Sequence, residues 1–259
     1  MLFLRRIRLD NYATMILTER IKNSIKEQAM KKLDEEICGL LYLAAEDIVL
    51  YPCENIAENP NKFFSISGEN YLKCSRLGKI VAVYHSHLNS NGFSEFDKLN
   101  SEKHKIHFII YSTTADDFYY YEPCGYEIPL LNRSYVVGYM DCFSLVKDYY
   151  KQKCNIILPE LTHPYRFVSS KDSHPENDRV YNILPDFFKD NGFTCVTSLK
   201  KHDLILCKTA KIPSPVHSLI YIGENQVIHH PREQKATIEP FHFIIKQAIT
   251  HTMRHKSLI

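Results

Sequence analysis

No stretch of this 259-residue chain approaches the roughly 20 consecutive apolar residues of a membrane span. The opening Met1-Leu2-Phe3-Leu4-Arg5-Arg6 has too short an apolar run before its charges to act as a secretory core, so the chain is expected to be soluble when made. No C-x-x-C pair occurs among the eight cysteines, which argues against a zinc ribbon and against a dense disulfide framework. No charge of one sign dominates either. The formal net charge is +2 with acids and bases interspersed, so there is no nucleic-acid footprint and nucleic acid is discounted as a partner. Internal repeats and low-complexity tracts are also absent. What remains is an ordinary globular composition, 44% hydrophobic and 24% charged, which excludes wholesale disorder and fibrous architecture. A chain of this length fills two cores of ordinary size.

The first core is expected over residues 15–122. From Thr18 to Leu33 apolar residues recur at near-helical spacing, and Thr18 can cap the helix with Glu19 in its first turn. Runs rich in β-branched and aromatic residues predict strands at Ile37–Leu43, Ile48–Cys53, Lys79–Tyr84, Ile106–Ser112 and Phe118–Glu122, with a helix at Ser94–Lys105. Residues 1–14 have no clear period and read as an N-terminal extension. Turn and breaker residues place a linker at 123–133. The second core, residues 134–259, is expected to hold a helix from Asp141 to about Lys153, an irregular stretch through Asn177 and a helix around Arg179–Lys189. Strands follow at Asp203–Cys207, Val216–Ile222 and Gln226–His230, the last two joined as a hairpin through Gly223-Glu224-Asn225.

In the first unit the apolar run Val81-Ala82-Val83-Tyr84 leads into His85-Ser86-His87. Residues two apart on a strand share a face, so the two imidazoles converge. Asp97, in the first turn of the next helix, can supply a third ligand and leave a fourth position open, a set that suits zinc. Glu36, before Ile37-Cys38-Gly39, is placed to act as a general base. The plain alternatives are a Ser94-x-x-Asp97 capping box, polar residues at a strand end and a solvated helix-end glutamate. Glu36 before a Cys-Gly step, then His-Ser-His, then Ser-x-x-Asp together resemble the JAMM (Mov34/MPN/PAD-1) metallopeptidases. That resemblance implies an α/β unit in which His85, His87 and Asp97 bind Zn2+, Glu36 is the base and Ser94 helps stabilise an oxyanion. Six residues separate His87 from Ser94, one fewer than usual in that family, and Leu88 stands in place of a proline. The shorter connection bears directly on where Asp97 falls.

In the second unit Asp141-Cys142 opens a helix. A thiol at a helix N-terminus is expected to have its pKa lowered by the helix dipole, whereas a lone cysteine among aromatics is ordinarily a small buried hydrophobe. His217 begins one strand. The next ends in His229-His230, whose side chains take opposite faces, so only one can orient His217 and the other is expected at the surface or facing substrate. Asp-Cys before a Leu-Val helix, a strand-opening histidine and a polar residue after a hairpin resemble the NlpC/P60 family, although His202 stands where that family has glycine. The resemblance implies a papain-like α+β unit with Cys142 as nucleophile, His217 as base and His229 as orienting residue, acting on peptidoglycan stem peptides. The overall fold class is therefore α+β in two domains.

The order of the two units, together with Tyr51-Pro52-Cys53-Glu54-Asn55 and the closing Met253-Arg254-His255-Lys256-Ser257-Leu258, resembles the tail assembly proteins of lambda-like phages. This implies a zinc-dependent (iso)peptidase and a cysteine peptidase in one chain, with stem peptide and other tail-tip proteins as partners. It also implies the host cytoplasm during assembly, and the virion tail tip, as locations. The alternatives are a tail-tip component whose domains act mainly as docking modules and a bacterial wall hydrolase with an accessory isopeptidase domain.

Overall fold

The computed structural model describes residues 16–161, 183–209 and 214–259. The chain divides into a unit ending at Glu127 and one beginning at Ile128. The extension expected over residues 1–14 lies outside the described residues, as do most of the irregular stretch through Asn177 and the first turn of the helix expected from Arg179.

In the first unit α1 (Glu19–Lys31) starts at Thr18, whose side chain accepts from the Ile21 N–H, and buries Ile21, Ile25 and Ala29. Strands β1 (Cys38–Ala44) and β2 (Asp47–Cys53) are followed by α2 (Gly68–Leu77) and β3 (Lys79–His87). Helix α3 (Glu95–His104), β4 (His107–Ser112) and β5 (Asp117–Tyr121) complete it. The sheet order is β2-β1-β3-β4-β5. Its pairings are antiparallel except β3 with β4, which run parallel across the α3 connection. One face packs the α1 stripe on Leu41, Ala82, Tyr84 and Ile109, and the other packs Cys74 of α2 on Leu40, Val83 and Phe108. Helix α2 is not legible in the sequence, because it buries only Cys74 and leaves Tyr71, Leu72 and Leu77 exposed.

The segment after β5 is tethered. Glu102 Oε1 accepts from the N–H groups of Cys124, Gly125 and Tyr126 at 2.7–3.0 Å, which holds that carboxyl down to about 2 despite the opposing effect of burial.

In the second unit α4 (Cys142–Cys154) and α5 (Ile183–Asp190) precede β6 (Phe193–Cys195), β7 (Asp203–Cys207) and the hairpin of β8 (His217–Gly223) and β9 (Gln226–His229). After them come β10 (Thr237–Pro240), α6 (Phe243–Ala248) and β11 (Ile249–His255). The order β10-β9-β8-β7-β11-β6 is antiparallel throughout. The hairpin turns through Glu224 and Asn225, both at positive φ of 52° and 54°, which matches the twist of the strands it joins. Phe143, Val146 and Tyr150 of α4 pack on Leu204, Leu206, Ile220 and Ile228, while Phe241 and Ile245 cover Ile205, Leu219 and Val227 on the opposite face. Fully buried Asp203 accepts two bonds from Arg254, at 2.7 and 2.8 Å, tying β7 to β11.

His202, where glycine was the expected residue, sits at φ 77°. Its conformation is held by the Tyr150 hydroxyl on its carbonyl and by Tyr149 on its ring. The fold is thus α+β in two units. Among the described residues no helix is long and apolar enough to cross a membrane.

Candidate functional site

Strand β3 stays buried to its end, and this carries both histidines into the first site. His85 Nε2 lies 3.1 Å from His87 Nε2 and 3.2 Å from Asp97 Oδ1, and His87 Nε2 lies 3.5 Å from Asp97 Oδ2. Ligand bonds of about 2.0–2.1 Å in a tetrahedral arrangement set donor atoms about 3.3 Å apart. The three side chains therefore fit a zinc ion by donor chemistry and spacing, and the one group of potential metal ligands among the described residues is this one. The shorter connection from His87 leaves Asp97 beside both rings.

The capping box is present as well. Ser94 Oγ accepts from the Asp97 N–H at 3.1 Å and donates to Asp97 Oδ2 at 2.6 Å, and the Ser94 N–H donates to the same oxygen. Capping and ligand placement are one device here: Oδ2 is anchored by Ser94 while Oδ1 faces His85. Burial alone would raise Asp97, but the His85 and His87 rings and the Ser94 hydroxyl outweigh it and hold the carboxyl well below its ordinary range. Burial lowers His85, whereas at His87 the opposing effect of Asp97 wins and its value rises. His85 is further fixed by Phe64, stacked at 4.2 Å between ring centroids.

Glu36 is buried just before β1. Burial raises it to about 7, against the pull of His87. Its backbone is clamped, because its N–H donates to Pro60 O at 2.7 Å and its carbonyl accepts from Asn55 Nδ2 at 2.8 Å. Ser86, between the histidines and on the other face of β3, accepts from the Ile37 N–H at 2.9 Å and locks Glu36 against the strand. The sequence singled out neither Asn55 nor Ser86 for a role, although both lie in quoted motifs. Gly39 is required where β1 crosses Tyr84, since a Cβ there would stand 2.4 Å from the tyrosine hydroxyl.

In the second site Cys142 is the first residue of α4, behind the Asp141 cap. Its thiol meets the Ser218 and Phe143 N–H groups, and the Ser218 hydroxyl lies against it. Burial and the Asp141 charge push it up to about 11, opposite to the lowering expected from the helix terminus. His217, next to Ser218, turns Nε2 to His229 Nδ1 at 3.0 Å. Surrounding protein and the His229 and His230 rings hold His217 down to about 3, although it keeps some solvent contact. His230 is neither surface nor substrate-facing: it is fully buried against Tyr135. The far side of His229 meets Glu239 of β10, with Nε2 3.0 Å from Oε1, off the direction of a full hydrogen bond. No periodic signal marks the four-residue strand β10, so Glu239 was invisible in the sequence.

Residues 18–121 match the model for prokaryotic homologs of the JAB domain, and residues 132–254 match the NlpC/P60 family. The chain joins a JAB-type domain to an NlpC/P60 domain. It is also similar to the tail tip assembly protein K of Escherichia phage N15, 26% identical over 217 residues, covering 83% of this chain and 85% of that one. A crystal structure of an NlpC/P60 family protein from Bacillus cereus ATCC 10987 matches at 16% identity and a TM-score of 0.29, covering 88% of this chain and 66% of that one.

Proposed function

We propose that this chain is a phage tail-tip assembly protein with two hydrolytic sites, one a zinc-dependent (iso)peptidase and the other a cysteine peptidase of peptidoglycan stem peptides. The observation that carries the peptidase reading is the His217–His229 contact of 3.0 Å beside a helix that begins with Cys142. Similarity to a tail tip assembly protein along both halves supports the assembly setting, with other tail-tip proteins as partners. The chain acts in the host cytoplasm during assembly and at the virion tail tip.

At the second site the thiol starts protonated. Attack on a peptide carbonyl forms the S–C bond as the thiol proton passes to His217, and His217 then delivers that proton to the leaving amine. The acyl group left on Cys142 is released by water, with the same histidine as base. At the first site His85, His87 and Asp97 would hold the metal. Zinc there would supply Lewis acidity and bring the ionisation of water toward neutral pH. Glu36, which burial raises, would take a proton from the attacking water and return it to the leaving group. Ser94 steadies Asp97, and its oxyanion role requires its hydroxyl to turn from that carboxylate.

Purified peptidoglycan incubated with the wild type and Cys142→Ala, each with and without chelator, tests the reading. Chelator should leave stem-peptide cleavage by the wild type intact, and Cys142→Ala should abolish it. Cleavage by Cys142→Ala at the wild-type rate in chelator overturns the thiol site. The second reading, docking modules with weak sites, draws on the upward shift of the Cys142 thiol and on the downward shift of His217, both of which oppose proton transfer from one to the other.

A further inference from the structure

We infer that Glu239 is a positioning residue for the thiol site, fixing the His229 tautomer that lets His217 act as a base toward Cys142. The inference rests on the Cys142–His217 reading and extends the relay by one carboxylate. His217 has Nε2 committed to His229, so a proton leaving the thiol must arrive on Nδ1. The imidazolium so formed carries hydrogen on both nitrogens, and its Nε2–H needs an acceptor.

His229 Nδ1 accepts only if His229 carries its own hydrogen on Nε2, the atom 3.0 Å from Glu239 Oε1. That nitrogen is buried, with no directed hydrogen bond to any group among the described residues. The terminal torsion of a glutamate is broad, so aligning Oε1 with the N–H costs little. In the reverse tautomer His229 donates to His217 Nε2, which forces the His217 hydrogen onto Nδ1 and removes the base. Glu239 therefore selects the productive arrangement, and its charge favours the imidazolium.

Among the described residues, few charged or titratable groups face this relay. His229 and His230 face His217, Glu239 and His242 face His229, and His242 Nε2 stands 3.9 Å from Glu239 Oε1. His242 is a second ring facing the same carboxylate, and a His242→Ala control separates its contribution. Glu239 is partly exposed on the edge strand of the sheet, so its replacement spares the core.

The test is the rate of iodoacetamide alkylation at Cys142, followed by mass spectrometry of the full chain from pH 6 to 10. It needs no substrate. His217→Ala should lower the rate near pH 7. Glu239→Ala should lower it by about tenfold, the equivalent of one pKa unit in His217. Glu239→Gln, which keeps an acceptor without the charge, should recover part of the loss. The Glu239→Ala deficit should narrow as pH rises, because thiolate then forms without the histidine. A deficit equal at every pH marks a purely structural role and overturns the inference, as does a Glu239→Ala profile that superimposes on the wild type while His217→Ala is slow. If His217→Ala itself labels at the wild-type rate, the Cys–His reading falls first.

Discussion

The two units use burial in opposite ways. In the JAB half it raises Glu36 to about 7, where a carboxylate is most useful as a base near neutral pH. In the NlpC/P60 half it raises Cys142 from 9.0 to about 11, away from the thiolate that attacks. The helix terminus cannot reverse this. Its field is worth about 0.3–1 kcal/mol, less than one pKa unit at 1.36 kcal/mol. On the proposed reading the base of the first site is raised chiefly by burial, with Asp97 adding to the effect and His87 opposing it, whereas the second site depends on proton transfer to a correctly oriented histidine. Position at a helix start is not by itself activation.

The comparison breaks most decisively on activity. Glu36→Gln should retain about one zinc per chain by elemental analysis yet lose chelator-sensitive peptidase activity by a hundredfold or more, within the range of general acid–base catalysis at about 10²–10⁴. Cys142→Ala should leave that activity and its zinc untouched while eliminating stem-peptide cleavage. Loss of both activities in either variant would merge the two sites into one.

The next effect is on stability and confined to the second half. Asp203→Ala leaves the Arg254 guanidinium buried without its carboxylate, and should destabilise by about 3–5 kcal/mol in denaturant unfolding. Zinc binding by His85, His87 and Asp97 serves as the internal control.

A smaller effect reads the burial of Glu36 directly. Its folded value of about 7 exceeds the ordinary 4.5, so the unfolded chain releases this proton first. Stability therefore falls as pH rises from about 4.5 to 7 and is level above, by on the order of 3 kcal/mol at most. Metal-free Glu36→Gln should lack this decline, so its advantage over the wild type should be larger at pH 8 than at pH 5. An equal difference at both values removes desolvation as the cause.

The smallest is Ser86→Ala, which strips the Ile37 N–H of its acceptor and should cost about 1–3 kcal/mol in unfolding. Its zinc-dependent activity should fall further than its zinc content, because Glu36 is released while the ligands stay. Equal losses of zinc and activity would count against Ser86 acting through Glu36.

Chemistry carried by short, local patterns was legible in the sequence. His85 and His87 share a strand face by the two-residue repeat, Ser94 and Asp97 share a helix turn, and Cys142 follows its cap. The elements that escaped notice lack a period. Helix α2 buries one cysteine, and β10 and β6 hold four and three residues. Strand β11 alternates poorly because Arg254 and His255 are buried with Met253.

The α+β class and the two-part order were determined by the sequence itself, because strand and helix periods and caps depend on neighbours a few residues apart, whereas the candidate site residues were named by local motifs together with their resemblance to known families. Tertiary structure alone decided the sign of each pKa shift, the burial of His230, the clamp of Ser86 on Glu36 and the approach of Glu239 to His229. The last joins residues on separate strands through β9–β10 pairing, and desolvation depends on everything packed around a group.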